Sequence, residues 1–227
     1  MTKLISSNPW ICRSVPFALY MLFIPIEYIL EEMSISSIYL TPAIYSIKSI
    51  IVALSLVYFW KYYSELAWNN FKISDSLLSV LTGIVVFVLW INLNFDFAKQ
   101  SDDVTPYNPN ALTGYLYFIF LTIRLIGASI IVPIFEELFW RSFIIRFITN
   151  QDFMSIKIGT FTWPSFIISA ALFGAEHNLW LAGIIAGLCY NILLYKTKNL
   201  YQCILSHGIT NLLLGIYIIK TGNWQFW

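Results

Sequence analysis

Charge is what this sequence has least of. Of its 227 residues, 11% are Asp, Glu, Lys or Arg, less than half the roughly 25% of an ordinary soluble domain. Hydrophobic residues make up 59% and mean hydropathy is +0.72. That deficit excludes a soluble globular chain and leaves an integral membrane protein. A net charge of +1 without a Lys/Arg cluster excludes a nucleic-acid partner. Cysteines are few and odd in number: Cys12, Cys189 and Cys203 lie in apolar segments and form no C-x-x-C. They give neither a disulfide framework nor a zinc-thiolate site and read as small apolar fillers. The first apolar run follows Lys3 and Arg13 and ends at Glu31-Glu32 without a small-residue cleavage site, so it reads as a retained span. No polar stretch is long enough for a soluble domain. The longest, near 96–111, carries Pro106, Asn108, Pro109 and Asn110 and reads as a loop.

What is there is a series of apolar segments near 11–31, 39–61, 76–95, 112–148, 163–175, 179–195 and 200–219. Most approach the roughly 20 residues a membrane helix needs. The expected fold is all-α, a polytopic membrane helix bundle of seven or eight transmembrane helices, with 1–227 one integral membrane domain. The fourth segment is too long for one perpendicular helix and contains Pro133. It is either one kinked, tilted helix or two helices broken near the proline. Counted as one span with the N-terminus cytoplasmic, it leaves Lys3, Arg13, Lys61, Lys72, Arg146, Lys157, Lys196 and Lys198 inside. Glu31, Glu32, Asp96, Asp102 and Asp103 then fall outside, and the basic asymmetry is the one the positive-inside rule expects.

Against this apolar background, Glu136, Glu137 and Arg141 fall within six positions of the fourth segment. An ionised side chain at mid-bilayer costs from about 3 kcal/mol on insertion scales to 10 or more in simulations, so such residues usually mark function. Residues four apart share a helix face, which pairs Glu137 with Arg141 and leaves Glu136 pointing elsewhere. A desolvated carboxylate of that kind suits a general base. The competing reading is a structural charge knot that ties helices together. Glu27, Lys48 and Arg124, also in or near spans, read as interfacial snorkelling or interhelical pairing. Glu31-Glu32 copies the acidic doublet without an arginine four residues on. From 163 onward small residues recur at helical spacing, Gly183 and Gly187 among them, and predict a tightly packed half with no chemistry of its own.

The chain's two histidines, His177 and His207, both lie in that half, and Asn211 shares a face with the second. Glu136-Glu137-Leu138-Phe139-Trp140-Arg141, Phe173-Gly174-Ala175-Glu176-His177 and His207-Gly208-Ile209-Thr210-Asn211 read as E-E-x-x-x-R, F-x-x-x-H and H-x-x-x-N. In that order they resemble the CAAX-protease and bacteriocin-processing family of intramembrane proteases, also called the Abi family. The resemblance covers roughly residues 115–219. It makes 111–219 the catalytic core spans and leaves 1–110 as family-variable N-terminal spans.

The resemblance implies a site in a cavity inside the bilayer, facing the cytoplasmic side. Glu136 and His177 would activate the attacking water, His207 and Asn211 would hold the oxyanion, and Glu137 and Arg141 would support them. It implies no cofactor in one description of the family and zinc in the other, with Glu136, His177 and His207 as the ligands. No H-E-x-x-H is present, and the metal-free reading is the one adopted. The expected partners are membrane lipids and a membrane-inserted or lipid-bearing peptide. The expected location is a bacterial cell membrane. A non-enzymatic reading, a membrane immunity or scaffold protein, would use the same residues as packing glue, and a small transporter would need an inverted repeat that the chain does not show.

Overall fold

A computed structural model describes residues 8–33, 37–67, 73–101 and 107–226. Lys3, Lys72, Asp102, Asp103 and Pro106, and the side chains of Glu31 and Glu32, lie outside the described residues. Seven helices and no strand are found among those described: α1 Pro9–Glu32, α2 Leu40–Phe59, α3 Ser76–Asn92, α4 Tyr115–Thr149, α5 Trp163–Ala175, α6 Trp180–Thr197 and α7 Leu200–Thr221. All but α5 are long and apolar enough to cross a membrane. Large apolar side chains such as Leu54, Val57, Leu77, Phe118 and Ile167 are exposed on the outside of the bundle. With no water available to backbone groups in hydrocarbon, a helical bundle of this kind is one of two architectures that can span a bilayer. The chain is an integral membrane protein of that class.

The long fourth segment is one helix of 35 residues. Its α-helical pieces are joined by two π-helical stretches, Gly127–Ile131 and Leu138–Ile144. The first lies immediately before Pro133, where a regular turn would drive the proline ring into the carbonyl four residues back. Widening that turn, with the Val132 N–H donating to the Gly127 carbonyl, carries the helix through the proline without a break. Among the described residues the count is therefore seven helices, six of spanning length and one shorter.

Contacts at the connections fix which helix ends lie together. At the face where α1 begins, the Tyr63 hydroxyl donates to the Cys12 carbonyl at 2.8 Å, the Tyr201 hydroxyl to Leu66 O, and Ser79 Oγ to Gln202 Oε1 at 2.6 Å. Arg13 joins the same face, donating to both Glu65 oxygens at 2.7 and 2.6 Å and to Ser142 Oγ at 3.1 Å. Arg146 donates to Ser142 and lies 3.7 Å from Glu65, and Phe153 packs under both guanidinium groups. At the opposite face, Tyr107 donates to Ile38 O at 2.8 Å. The Gln100 amide there donates to the carbonyls of Ala175 and His177 at 2.7 and 3.0 Å.

Small residues bring α5 against α6 as the sequence predicts. A Cβ on Gly183 would lie 2.9 Å from the Gly174 Cα, and one on Gly187 would lie 3.0 Å from the Ala170 Cα. Gly174 itself faces Ile184 and the Trp180 carbonyl too closely for any side chain. Interhelical pairing holds for Lys48, which donates to Glu27 at 3.2 Å. None of the three cysteines forms a disulfide among the described residues, and Cys12 and Cys203 are fully buried.

Candidate active site

A cavity of about 260 Å³ lies inside the bundle. Four helices supply its polar wall. Glu136 comes from α4, at the end of the regular turn between the two π stretches. His177 comes from the turn after α5, and His207 and Asn211 come from successive turns of α7. Tyr190 of α6 completes that wall. The four residues singled out from the sequence thus face a common space, although 75 positions of chain separate the first from the last.

Glu137 and Arg141 stand behind this wall, both fully buried. Arg141 Nε lies 3.2 Å from Glu137 Oε2, and Nη1 donates to Oε1 at 3.2 Å, so the i, i+4 pair forms as expected. Glu137 does more than close that pair, because His207 Nδ1 lies 2.9 Å from the same Oε1. A carboxylate paired with a guanidinium can only accept, so His207 donates from Nδ1 and turns Nε2 toward Glu136, whose Oε2 is 3.9 Å away. The Arg141 guanidinium also covers the faces of Phe173 and Tyr190, at 4.4 and 5.2 Å. Tyr190 in turn stacks on the His207 ring and donates to Thr210 Oγ1 at 2.8 Å. The imidazole is held on its edge and on its face.

His177 is oriented the same way by a different device. Its Nδ1 lies 2.7 Å from the Phe173 carbonyl one turn earlier. A carbonyl only accepts, so that nitrogen carries the proton and the ring's lone pair is left on Nε2. Trp90 packs edge-on against the ring at 5.2 Å. Burial holds His177 down to about 4, hence neutral. Asn211 donates one amide hydrogen to the Ala128 carbonyl at 2.8 Å, and its second is not spent on that bond.

Glu176 is the residue that sequence reasoning passed over. It fills a variable position of F-x-x-x-H, and its place beside His177 was the available signal. In the structure it lines the same cavity, and Trp140 Nε1 donates to its Oε1 at 3.0 Å. Burial pushes its carboxyl up to about 8. Among the described residues, neither Oε2 of Glu176 nor Oε2 of Glu136 has a hydrogen-bond partner, and both atoms are buried. Such a pair of carboxyl oxygens with a histidine lone pair can hold and polarise a water, or can bind a divalent cation.

The geometry weighs on which cation set is feasible. Ligand atoms of Glu136, Glu176 and His177 lie within 4.8 Å of one another. Among the described residues this is the set that gathers, whereas the zinc set expected from the sequence included His207 in place of Glu176. His207 Nε2 is within 3.9 Å of Glu136 but does not enter the group.

Residues 118–213 match the family described as type II CAAX prenyl endopeptidase Rce1-like. Among curated proteins, the chain is 26% identical over 177 residues to the UPF0177 protein YaiH of Lactococcus lactis subsp. lactis (strain IL1403). That match covers 75% of this chain and 69% of the relative. No solved structure matches. The matched stretch contains all three motifs, and with them Glu136, Glu176, His177, Tyr190, His207 and Asn211 of the cavity lining. Over residues 118–213, this integral membrane chain is thus similar to the type II CAAX prenyl endopeptidase Rce1-like family.

Proposed function

We propose that the chain is an intramembrane endopeptidase that hydrolyses a peptide bond near the end of a membrane-inserted or lipid-bearing protein or peptide. The observation that carries this reading is the convergence of Glu136, His177, His207 and Asn211 on one cavity. A scaffold would need packing from these residues and no shared, solvent-sized space.

The chemistry follows from the hydrogen-bond directions. A water between the Glu136 carboxylate and His177 Nε2 gives its proton to Glu136 and attacks the carbonyl carbon. The new oxyanion is met by His207, protonated on Nε2, and by the second amide hydrogen of Asn211. Glu137, on the far side of the His207 ring, balances the charge that the imidazolium carries. Collapse of the tetrahedral intermediate breaks the C–N bond as Glu136 returns its proton to the leaving amine. The buried wall of the cavity keeps bulk water from weakening either step.

Glu136→Gln removes the base while keeping size and hydrogen-bonding capacity. The expected result is a loss of turnover of at least ~10²-fold, with thermal stability in detergent preserved. Full turnover in purified Glu136→Gln would remove the base assignment.

If a divalent cation takes part, Glu136, Glu176 and His177 would hold it and it would lower the pKa of a bound water. The metal-free reading is proposed because the Phe173 carbonyl fixes the His177 tautomer and the buried Glu136 Oε2 is left to accept from a water. Activity should accordingly survive strong chelators. Loss on chelation together with about one zinc per chain by elemental analysis would move the water onto a metal and keep the peptidase reading.

A further inference from the structure

The cavity has a direction. On α4 its lining residues are Arg124, Ala128, Val132 and Glu136, one stripe that ends at Glu136. On α7 they are His207, Thr210, Asn211, Leu214 and Gly215, a stripe that begins at His207. Every one of these lies on the same side of the Glu136–His207 level, toward the face where α4 begins and α7 ends. Phe226, just past α7, and Trp90, near the end of α3, line the cavity at that face. Toward the other face the space is closed by the Glu137–Arg141 pair and, beyond it, by the Arg13–Glu65–Arg146 cluster. The pocket is therefore blind at the face where α1 begins and leads to the opposite one.

The loop charges divide along the same axis. At the blind face, among the described residues, lie Arg13, Lys61, Arg146, Lys157, Lys196 and Lys198. At the face toward which the cavity leads lie Lys99 and Lys220, and Lys99 is paired with Asp96 at 2.9 Å. Six basic residues against two, all in short connections or at helix ends, is the asymmetry that directs the richer face to the cytoplasm. Attraction to an anionic cytoplasmic leaflet adds to it for the exposed cations. The two sequence expectations, a cytoplasmic N-terminus and a site facing the cytoplasm, are thus mutually exclusive in this fold.

We propose that the cavity opens on the extracytoplasmic side of the membrane. Granted the peptidase reading, on which this clause rests, the substrate is a peptide segment presented from that side, such as a translocated tail or the outer end of a membrane-anchored segment.

Single cysteines test the orientation in the full-length chain, in a Cys189→Ala background with Cys12 and Cys203 left in place because both are buried. Phe97→Cys reports the face toward which the cavity leads, Gln151→Cys the blind face, and Met21→Cys the cavity wall itself. A small, charged, membrane-impermeant thiol reagent added to intact cells should modify Phe97→Cys and Met21→Cys, and Gln151→Cys only after permeabilisation. Modification of Gln151→Cys in intact cells, alone or together with Phe97→Cys, would overturn the orientation. Protection of Met21→Cys until permeabilisation would overturn the opening. Labelling needs no turnover, so a chain that cleaves nothing would end the peptidase reading and leave the orientation result standing.

Discussion

At the scale of single residues, the site is organised by who can donate to whom. Both histidines spend Nδ1 on a fixed acceptor, a carbonyl for His177 and a carboxylate for His207. Nε2 is left uncommitted on both, and that of His207 is turned toward Glu136. Glu176 adds a titratable group whose sign matters. Its carboxyl, raised to about 8 by burial, is neutral below that pH and ionised above it. Below about 8 it adds no charge beside Glu136. Above it, a second negative charge near the developing oxyanion opposes the transition state. The kcat profile should therefore have a falling alkaline limb near pH 8, and Glu176→Gln should flatten it while keeping most of the turnover at pH 7. A limb unchanged in that variant would assign the titration to another group.

The i, i+4 rule made the Glu137–Arg141 pair and the freedom of Glu136 legible in the sequence, because both are properties of one helix. The same rule is silent on contacts between helices. That Glu137 also holds His207, 70 positions later, depends on how α4 meets α7, and no local spacing encodes it. Glu176 was within reach, being one residue from His177, but nothing local says whether a carboxylate at a helix end faces water or a cavity.

At the scale of elements, hydropathy gave the helices and left their irregularities hidden. The 35-residue run in α4 admitted either a kink or a break. The actual solution, a π-helical turn before Pro133, depends on relieving one steric clash and leaves no trace in composition. The buried cluster at the blind face was equally invisible. Arg13 and Glu65 are 52 positions apart, on α1 and on the connection after α2. There, one carboxylate serves two guanidiniums, with Ser142 donating to it and Phe153 beneath. Replacing it strands both cations in an enclosed space. Glu65→Gln is expected to cost about 3–5 kcal/mol, read as a lowered melting temperature in detergent, with per-molecule turnover of the folded fraction unchanged. A Glu65→Gln chain as stable as the parent would show that this cluster contributes little to holding α1, α4 and the α2–α3 connection together.

At the scale of the whole molecule, a second-half bundle built on glycines encloses the chemistry, and the first three helices supply one wall of its cavity. Tyr20, Met21 and Ile24 of α1, Tyr45 of α2 and Trp90 of α3 all line that space. The N-terminal spans, which carry no motif, are therefore placed to determine what fits beside Glu136.

The shortness of α5 has a consequence for the lipid around it. Thirteen residues rise about 20 Å, against roughly 30 Å of hydrocarbon in a typical bilayer. The turn that carries Glu176 and His177 is capped by Gln100 from the neighbouring connection, so its carbonyls are satisfied below the level its neighbours reach. Lipids beside α5 must shorten or tilt to meet it, at a fraction of a kcal/mol per Å of mismatch. A thinner annulus there brings the aqueous boundary, and any peptide bond travelling with it, closer to Glu136 and His177. Turnover in reconstituted vesicles should consequently rise as acyl chains are shortened from 18 to about 14 carbons, at matched fluidity and protein density. Indifference to chain length would mean that the protein, and not the bilayer, absorbs the mismatch.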